Sequence, residues 1–326
     1  MRAILAAAAI LVSLTATASA QQCKPLKRYA QIPFQTDEGA HIYLPVSIGD
    51  FQSKMMLDTG AFWSMLRTDL VTQLGLSTKE NFNLNLFDSG GNRIDRSTMI
   101  SNFSLSGLRF GEAEFFVSGL FADSPLTERA GLLGQNLFTQ VNLEIDYATK
   151  TISLFSQDHC PGDGVYWSNE AVVLKYEREG ARRKQVASRL KTGIDKRQID
   201  EPIVSAELQG KPVTVLFDTG ATFTSMNQDY AKRVFNITPQ TPGAEPAGGV
   251  FVGSGARIPT WRYTFKELVI SGIRFQNIPV LLGDFKGGAA VTLGMNEMKH
   301  LRIYFAFKEG AIYVTAADAG RTTAPQ

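Results

Sequence analysis

Two aspartates stand at matched places in the chain, each directly after an apolar run and directly before Thr-Gly. Asp58 follows "MML" and Asp218 follows "VLF". The interval from position 58 to position 218 is the repeat spacing of this chain. The pattern predicts a carboxylate at the tip of a buried strand, where its burial is costly unless a partner satisfies it. If two such tips meet, the carboxylates share one proton, so one apparent pKa is low and the other raised. Such a pair can activate water, because the ionised carboxyl accepts a proton while the neutral one polarises a carbonyl.

The sequence around each aspartate is repeated, which indicates a duplication. The segment "AGLLGQNLFTQVNLEIDYATKTISLF" (130–155) aligns with "AVTLGMNEMKHLRIYFAFKEGAIYV" (290–314), again at the repeat spacing. Between these blocks, "SLSGLRFGEAEFFV" (104–117) aligns with "VISGIRFQNIPVLL" (269–282) at a slightly longer spacing. Similar blocks in the same order make chance similarity improbable. We therefore expect two copies of one fold whose Asp-Thr-Gly loops meet at the axis between them.

Short segments rich in β-branched and aromatic residues fill both copies and are bounded by Gly, Asn or Asp, as strands are. In the first copy they include "HIYLPVSIG", "SKMMLD", "AEFFVSGLF" and "LEIDYATKTISLF". One or two helical turns fit after each "LG", over "QNLFTQV" and "MNEMKHL". The sequence thus predicts an all-β (mainly β) protein with two barrel-like lobes and a cleft between them.

The N-terminus predicts an export signal. Met1-Arg2 precedes an apolar stretch, and the segment ends in Ala-Ser-Ala before Gln21, as secretory signal peptides do. An uncleaved membrane anchor is the alternative, although the apolar stretch is shorter than the ~20 residues a spanning helix needs. We expect a periplasmic or secreted protein without stable membrane insertion after cleavage.

The repeat and the signal together predict the organisation of the chain. The expected divisions are a signal peptide (1–20), an N-terminal lobe (21–160), an inter-lobe connection (161–200) and a C-terminal lobe (201–326). The basic segment 175–197 has no counterpart in the first copy. It is interpreted as part of the connection, either a solvated linker or a charged hairpin or short helix.

The composition excludes several classes of function. The chain has 326 residues, with 33 Lys and Arg against 31 Asp and Glu, so its net charge of +2 gives no basis for nucleic-acid binding. Cys23 and Cys160 could form one disulfide in an oxidising compartment, but two cysteines are too few for a thiolate metal cage. The three histidines share no ligand spacing. We expect no metal, no cofactor and no Ser-His-Asp or Cys-His mechanism.

At the level of motifs, "LDTGA" and "FDTGAT" resemble the active sites of the aspartic proteases. The elements "LLG" (132–134) and "TLG" (292–294) resemble that family's second motif, which packs beneath each catalytic loop. The "DTGA" form is closer to retropepsin-like bacterial aspartyl proteases, whereas two lobes in one chain resemble the layout of pepsin. The resemblance covers roughly residues 40–155 and 200–315. The residues that it implies are the catalytic dyad Asp58 and Asp218, the inter-lobe hydroxyls of Thr59 and Thr219, and the loop glycines Gly60 and Gly220.

The first motif departs from the family pattern. Family members usually carry Ser, Thr or Asn two places after the glycine, where the side chain can hydrogen-bond the carboxylate. The second copy keeps Thr222 there, but the first has Phe62, and neither Ala61 nor Ala221 supplies the hydroxyl found in pepsin-like motifs. Fewer donors favour the ionised carboxylate less. We therefore predict a pH optimum less acidic than that of pepsin.

Such a protease needs flaps that close over the bound peptide. The candidates are the glycine-rich segments "FDSGGNRI" (87–94) and "PAGGVFVGSGARI" (246–258), which lie at corresponding places in the two copies. Neither contains the flap tyrosine expected of pepsin. The predicted substrate contacts are Phe87, Gly90, Gly91, Phe251, Val252 and Gly253.

The resemblance and the paired motifs predict an exported aspartic endopeptidase. We expect a monomer, since each lobe supplies one aspartate, acting on a peptide or protein bound in extended form. One alternative is a catalytically inactive peptide-binding protein with the same fold, for which Phe62 is the support. The other is a processing protease of narrow specificity.

Overall fold

The computed structural model describes residues 23–81, 86–122, 125–138, 141–176 and 201–318. The predicted signal peptide lies outside the described residues, as does nearly all of the basic segment 175–197. In the described part the fold is all-β and consists of two repeated lobes, as predicted. No helix in this part is long and apolar enough to span a membrane.

The first copy forms one large sheet that includes β4, the strand that ends before Asp58. The strands run in the order β6-β7-β10-β5-β11-β4-β3-β8-β9, with β2 paired to β3. The elements described in the first half of the chain are β1 Arg28–Pro33, β2 Gln35–Thr36, β3 Ile42–Ile48, β4 Phe51–Leu57, β5 Met65–Arg67, α1 Thr68–Gln73, β6 Thr78–Glu80, β7 Arg96–Ile100, β8 Phe103–Leu105, β9 Leu108–Arg109, β10 Ala113–Ser118, β11 Gly131–Leu133, α2 Gln135–Phe138, β12 Asn142–Asp146, β13 Thr151–Phe155 and β14 Val172–Lys175.

The second copy repeats this arrangement with longer strands. Its sheet has the order β15-β16-β21-β17-β20-β19-β18. The elements are β15 Ile203–Leu208, β16 Lys211–Phe217, β17 Ser225–Asn227, α3 Gln228–Tyr230, a π-helical turn Ala231–Phe235, β18 Glu245–Phe251, β19 Arg257–Ile270, β20 Ile273–Gly283, β21 Val291–Leu293, α4 Met295–Met298, β22 Leu301–Ala306 and β23 Ala311–Ala316.

The strand pairing bears out the duplication read from the sequence. In the first copy β4 pairs antiparallel with β3 and parallel with β11. In the second, β16 pairs in the same way with β15 and β21. Both copies also contain a Ser-Gly hairpin turn with positive φ at both residues, at Ser106-Gly107 (48° and 86°) and Ser271-Gly272 (46° and 93°). Two positive φ values are typical of the tight turns that match strand twist.

A third sheet joins the two halves. Its order is β1-β13-β12-β22-β23-β14, and the two halves meet where β12 pairs antiparallel with β22. At this seam the buried Arg302 guanidinium binds the buried Glu144 carboxylate, with Nη2 and Oε1 2.5 Å apart. Strand β14 lies within the segment predicted as the inter-lobe connection, and it pairs with β23. The described residues 161–176 are thus part of the folded body, because Leu174 and Trp167 bury their side chains there.

The predicted cysteine pair forms a disulfide. Cys23 and Cys160 are bonded, with their Cα atoms 4.9 Å apart and a sequence separation of 137. The bond ties the start of the described chain to the loop that follows β13. Its closed loop is long, so the chain-entropy model assigns it about 4–5 kcal/mol of stabilisation.

The strands that precede the two aspartates, β4 and β16, run through the hydrophobic core. Met55 and Leu57 of β4, and Val215 and Phe217 of β16, are fully buried. Large aliphatic and aromatic residues therefore anchor each strand up to the residue before its aspartate. The rigid strands fix where the two loops begin, and the loops extend from them toward the cleft.

Candidate active site

Each Asp-Thr-Gly loop begins in the same way. The backbone N–H of Asp58 donates to the Leu133 carbonyl at 3.0 Å, and that of Asp218 donates to the Leu293 carbonyl at 3.1 Å. These bonds extend the parallel pairings of β4 with β11 and of β16 with β21. Each aspartate is therefore held at the end of two adjacent parallel strands, where the chain turns away.

The two threonines join the loops across the axis. Thr59 Oγ1 donates to the Phe217 carbonyl at 2.7 Å and accepts from the Thr219 N–H at 3.1 Å. Thr219 Oγ1 donates to the Leu57 carbonyl at 2.8 Å and accepts from the Thr59 N–H at 3.0 Å. Both residues are buried, so these four hydrogen bonds satisfy groups that water does not reach.

The two carboxyl groups face one another over the glycines. Asp58 Oδ1 accepts from the Gly60 N–H at 3.0 Å and from the Ala61 N–H at 2.9 Å, and Asp218 Oδ1 accepts from the Gly220 N–H at 2.8 Å. A Cβ atom added to Gly60 would lie 2.5 Å from Asp218 Cγ, and one added to Gly220 would lie 2.5 Å from Asp58 Cγ. Only glycine permits this approach, so the motif brings the carboxyl groups together.

Their surroundings make the two carboxyl groups unequal. Burial raises the pKa of Asp58 well above its usual range, and the charge of Asp218 and a hydrogen bond to it raise it further. Burial also raises the pKa of Asp218, but the Gly220 N–H, the hydrogen bond from Asp58 and the charge of His41 oppose this rise. The two carboxyl groups thus cannot easily ionise together, and the groups that favour ionisation are more numerous at Asp218.

A second glycine packs beneath each loop, as the sequence predicts for the "LLG" and "TLG" motifs. A Cβ atom on Gly134 would lie 2.5 Å from the Trp63 carbonyl carbon, and one on Gly294 would lie 2.5 Å from that of Phe223. The residues after these glycines donate backbone N–H bonds to the loops, Gln135 to Ala61 at 2.9 Å and its counterpart Met295 to Ala221 at 2.8 Å. The short helices α2 and α4 therefore support the loops from below.

Polar side chains that sequence reasoning missed complete this support. Ser64 Oγ donates to Asn136 Oδ1 at 2.8 Å and accepts from the Gly134 N–H at 2.9 Å. In the second copy Thr224 Oγ1 donates to Glu297 Oε2 at 2.5 Å and accepts from the Gly294 N–H. Ser64 and Thr224 are separated by the repeat spacing. A hydroxyl at the same place in both copies is the sequence signal that could have identified these two supporting residues.

The hydroxyl that the family pattern places beside Asp218 has a different hydrogen-bond partner in this structure. Thr222 was expected to bond the carboxylate, but in the described structure its Oγ1 lies 3.0 Å from Nε2 of His41, in the first half of the chain. No hydrogen bond joins it to Asp218 among the described residues. Phe62, at the matching place in the first copy, packs instead against the apolar cluster around Trp63. The first loop replaces the missing donor with the Ala61 N–H.

The flap candidates occupy both sides of the cleft and differ in length. In the second copy β18 and β19 form a hairpin on which Phe251 is 74% exposed and Val252 is buried. In the first copy the candidate is a short turn closed by a bridge between Phe87 and Arg93, and Phe87 is exposed. Phe251, Val252 and Gly253 line the cleft, as does Ser89 of the shorter turn.

The two flap candidates contact each other. The buried Asp88 carboxylate accepts the backbone N–H of Ser254 at 2.7 Å, across the cleft. A Cβ atom on Gly90 would lie 2.9 Å from Val252 Cγ2, and the Gly253 carbonyl accepts a hydrogen bond from the Ser118 hydroxyl. The turn at 88–92 and the tip of the longer hairpin are therefore in direct contact.

The space beneath the flaps is a cleft of about 1270 Å³. It exceeds the roughly 300–1,000 Å³ of ordinary small-molecule pockets, and an extended peptide fits its size. Asp58 and Asp218 line its wall. The other charged groups in the lining are cationic or become so on protonation, and they are His41, Arg129, Arg233 and Lys286.

Comparison with known proteins agrees with this geometry. The model of the family described as Aspartyl protease matches the chain twice, at residues 44–137 and 204–296. The matches fall on the two copies, include both Asp-Thr-Gly loops and together cover more than half of the chain. A search of curated proteins found no match. The chain therefore belongs to the aspartyl protease family, as two retropepsin-like units in one polypeptide.

Proposed function

We propose that the protein is an aspartic endopeptidase that hydrolyses peptide bonds with a water molecule activated between Asp58 and Asp218. The observation that carries the proposal is the approach of each carboxyl group to the glycine of the opposite loop. The two carboxyls are hydrogen-bonded to each other and share a proton, which supplies an acid and a base at the same site.

In this mechanism the ionised Asp218 accepts a proton from the water while the protonated Asp58 donates one to the scissile carbonyl oxygen. The water oxygen then bonds the carbonyl carbon and gives a tetrahedral gem-diol. Asp218 next protonates the amide nitrogen, and Asp58 takes back a proton from a hydroxyl as the C–N bond breaks. Both carboxyls return to their starting states, and no covalent enzyme intermediate forms.

The substrate class follows from the cleft. Its volume and its exposed Phe251 suit an extended peptide with apolar side chains near the scissile bond. Both aspartates come from one polypeptide, so a monomer holds a complete site. The Cys23–Cys160 disulfide favours an oxidising compartment, which agrees with the proposed signal peptide and with a periplasmic or secreted enzyme.

The test is cleavage of a mixed peptide library across pH ~3 to 8 by the protein lacking residues 1–20, with single variants Asp58→Asn and Asp218→Asn. Each variant should lose about 10³-fold or more in kcat/KM, since either change removes the acid–base pair. Asp229→Asn, which alters an exposed aspartate on α3, should match the parent.

Retention of parent activity by either dyad variant would refute a shared dyad. Absence of cleavage by the parent at every pH would refute the endopeptidase assignment. Binding of library peptides without turnover would then identify a peptide-binding protein.

A further inference from the structure

A histidine from the first half of the chain reaches the active-site loop of the second half. His41 immediately precedes β3, and its side chain is only 16% exposed. Its Nε2 lies 3.0 Å from Thr222 Oγ1, so the contact bridges 181 residues of sequence and the boundary between the lobes. Thr222 stands two residues after Gly220, and the imidazole lines the same cleft as both carboxyl groups.

The Asp37 carboxylate holds the opposite side of this imidazole. His41 Nδ1 lies 2.9 Å from Asp37 Oδ2, and the His41 backbone N–H donates to Asp37 Oδ1 at 3.0 Å. Burial disfavours the ionised form of Asp37, but the hydrogen bonds and charge of His41 lower the pKa of the carboxyl below its usual value. The Asp37 carboxylate thus fixes the orientation of the imidazole ring beside the second loop.

Other ionisable groups also face this pair. The Tyr43 hydroxyl, on β3, donates to Asp37 Oδ2 at 3.2 Å. Arg129, from the segment before β11, places Nη2 3.4 Å from the same oxygen and its guanidinium over the Tyr43 ring. The Tyr147 hydroxyl donates to the Ala40 carbonyl and does not contact the ring. Arg129 thus competes with His41 for Asp37, while Asp218 attracts a positive charge on His41 from the other side.

The arrangement exists in one copy only. At the repeat spacing, the counterpart of His41 is Glu201 and the counterpart of Thr222 is Phe62. An imidazole and a hydroxyl can therefore meet beside Asp218, whereas Phe62 offers no polar group beside Asp58. The duplicated chain has acquired an asymmetric feature next to one of its two carboxyls.

We propose that His41, held at the second loop by its contact with Thr222, is a positioning residue for Asp218 and acts on it through its positive charge. The charge favours the ionised form of Asp218 and so keeps the shared proton on Asp58. Asp218 is then the carboxylate that accepts the proton of water, and Asp58 is the acid. The inference rests on the proposed function for its consequence in catalysis, but the effect on the carboxyl groups exists without turnover.

The test compares the parent with His41→Gln, whose amide can still meet Thr222 but carries no charge. The first readout is a pH titration of the two dyad carboxyl carbons by ¹³C NMR, with resonances assigned from Asp58→Asn and Asp218→Asn. The second is the pH profile of kcat/KM. Without the positive charge Asp218 protonates more readily, so its titration and the acid limb should move up by about 0.5–1 pH unit.

Matched variants separate the effect of the His41 charge from the effect of its structural contacts. His300→Gln, at an exposed histidine, should leave both readouts at parent values. Thr222→Val removes the hydroxyl and keeps the charge, so its shift should be less than half that of His41→Gln. Asp37→Asn is the second route if His41→Gln fails to fold, and it should shift Asp218 in the same direction because the ring loses the carboxylate that holds it beside the Asp218 loop.

An Asp218 titration unchanged in both His41→Gln and Asp37→Asn would overturn the proposal. A uniform fall of kcat/KM at every pH, with the limbs of the pH profile unshifted, would also overturn the proposal. It would leave His41 a purely structural role. If the parent cleaves no peptide, the proposed function fails, but the NMR titration still decides whether His41 acts on Asp218.

Discussion

Replacing Thr219 by valine tests whether the threonine network holds the two active-site loops together. Valine keeps the shape of threonine but removes the hydroxyl, which donates to the Leu57 carbonyl and accepts from the Thr59 N–H. Thr219 is completely buried, so no water can replace these bonds. A buried polar group left without a partner costs about 1–3 kcal/mol, and two such groups predict a loss of about 2–6 kcal/mol in the free energy of unfolding.

Urea unfolding followed by tryptophan fluorescence and circular dichroism measures this loss. Coincidence of the two signals would justify a single two-state free energy for a chain with two lobes. Thr219→Ser is the matched control, since it keeps the hydroxyl and should cost no more than about 1 kcal/mol for the lost methyl group. Thr59→Val should lower the free energy of unfolding about as much as Thr219→Val, because it breaks the equivalent pair of bonds to Phe217 and Thr219.

Two results would refute this reasoning. One is a loss below about 1 kcal/mol for Thr219→Val, which would mean that the orphaned carbonyl and N–H find new partners at no cost. The other is an equal loss for valine and serine, which would assign the effect to packing. We also expect kcat to fall in the valine variant, because the carboxyl groups lose the contacts that fix their separation.

Two further changes test the lobe seam and the flap contact. Arg302→Met should destabilise the protein by about 3–5 kcal/mol at neutral pH, because Glu144 is left buried without its cation. Burial already raises the pKa of Glu144, so its carboxyl protonates more easily in the fold than in the unfolded chain, and the urea-measured loss should shrink as pH falls toward ~5. Asp88→Asn should raise KM about 10-fold by weakening the contact with Ser254, with Asp95→Asn, just beyond the turn at 88–92, as control. Burial opposes ionisation of Asp88, but its hydrogen bonds lower its pKa, so the parent should lose this flap contact only as pH falls through that lowered value.

The centre of the site could be predicted from sequence because its determinants are local. An apolar run fixes a buried strand, and Asp-Thr-Gly fixes the loop at its end. The second copy, at the repeat spacing, then requires a second loop of the same kind. The threonine network and the approach of the carboxyls over Gly60 and Gly220 follow from bringing those loops together. Two identical local signals were sufficient to specify one non-local site.

The groups that modify the centre could not be predicted in the same way. His41 meets Thr222 across 181 residues, and Asp88 meets Ser254 across 166, yet neither pair belongs to a repeated block or a known spacing. The histidines were judged by metal-ligand spacing alone, which does not reveal a ring held by one carboxylate. The role of the Ala61 N–H was equally hidden, because a one-letter sequence does not show where a backbone donor points.

The asymmetry of the site has a physical consequence that a symmetric arrangement cannot have. In a dimer of identical chains, a histidine beside one carboxyl would also stand beside the other, and its charge would lower both pKa values without choosing between them. Joining two copies in one polypeptide lets Thr222 and Phe62 diverge at the same place in the two loops. The charge of His41 then opposes the rise in the pKa of Asp218, while the pKa of Asp58 rises although its two backbone donors oppose this. In the proposed mechanism, this inequality of the two loops favours the shared proton on Asp58 before a substrate binds.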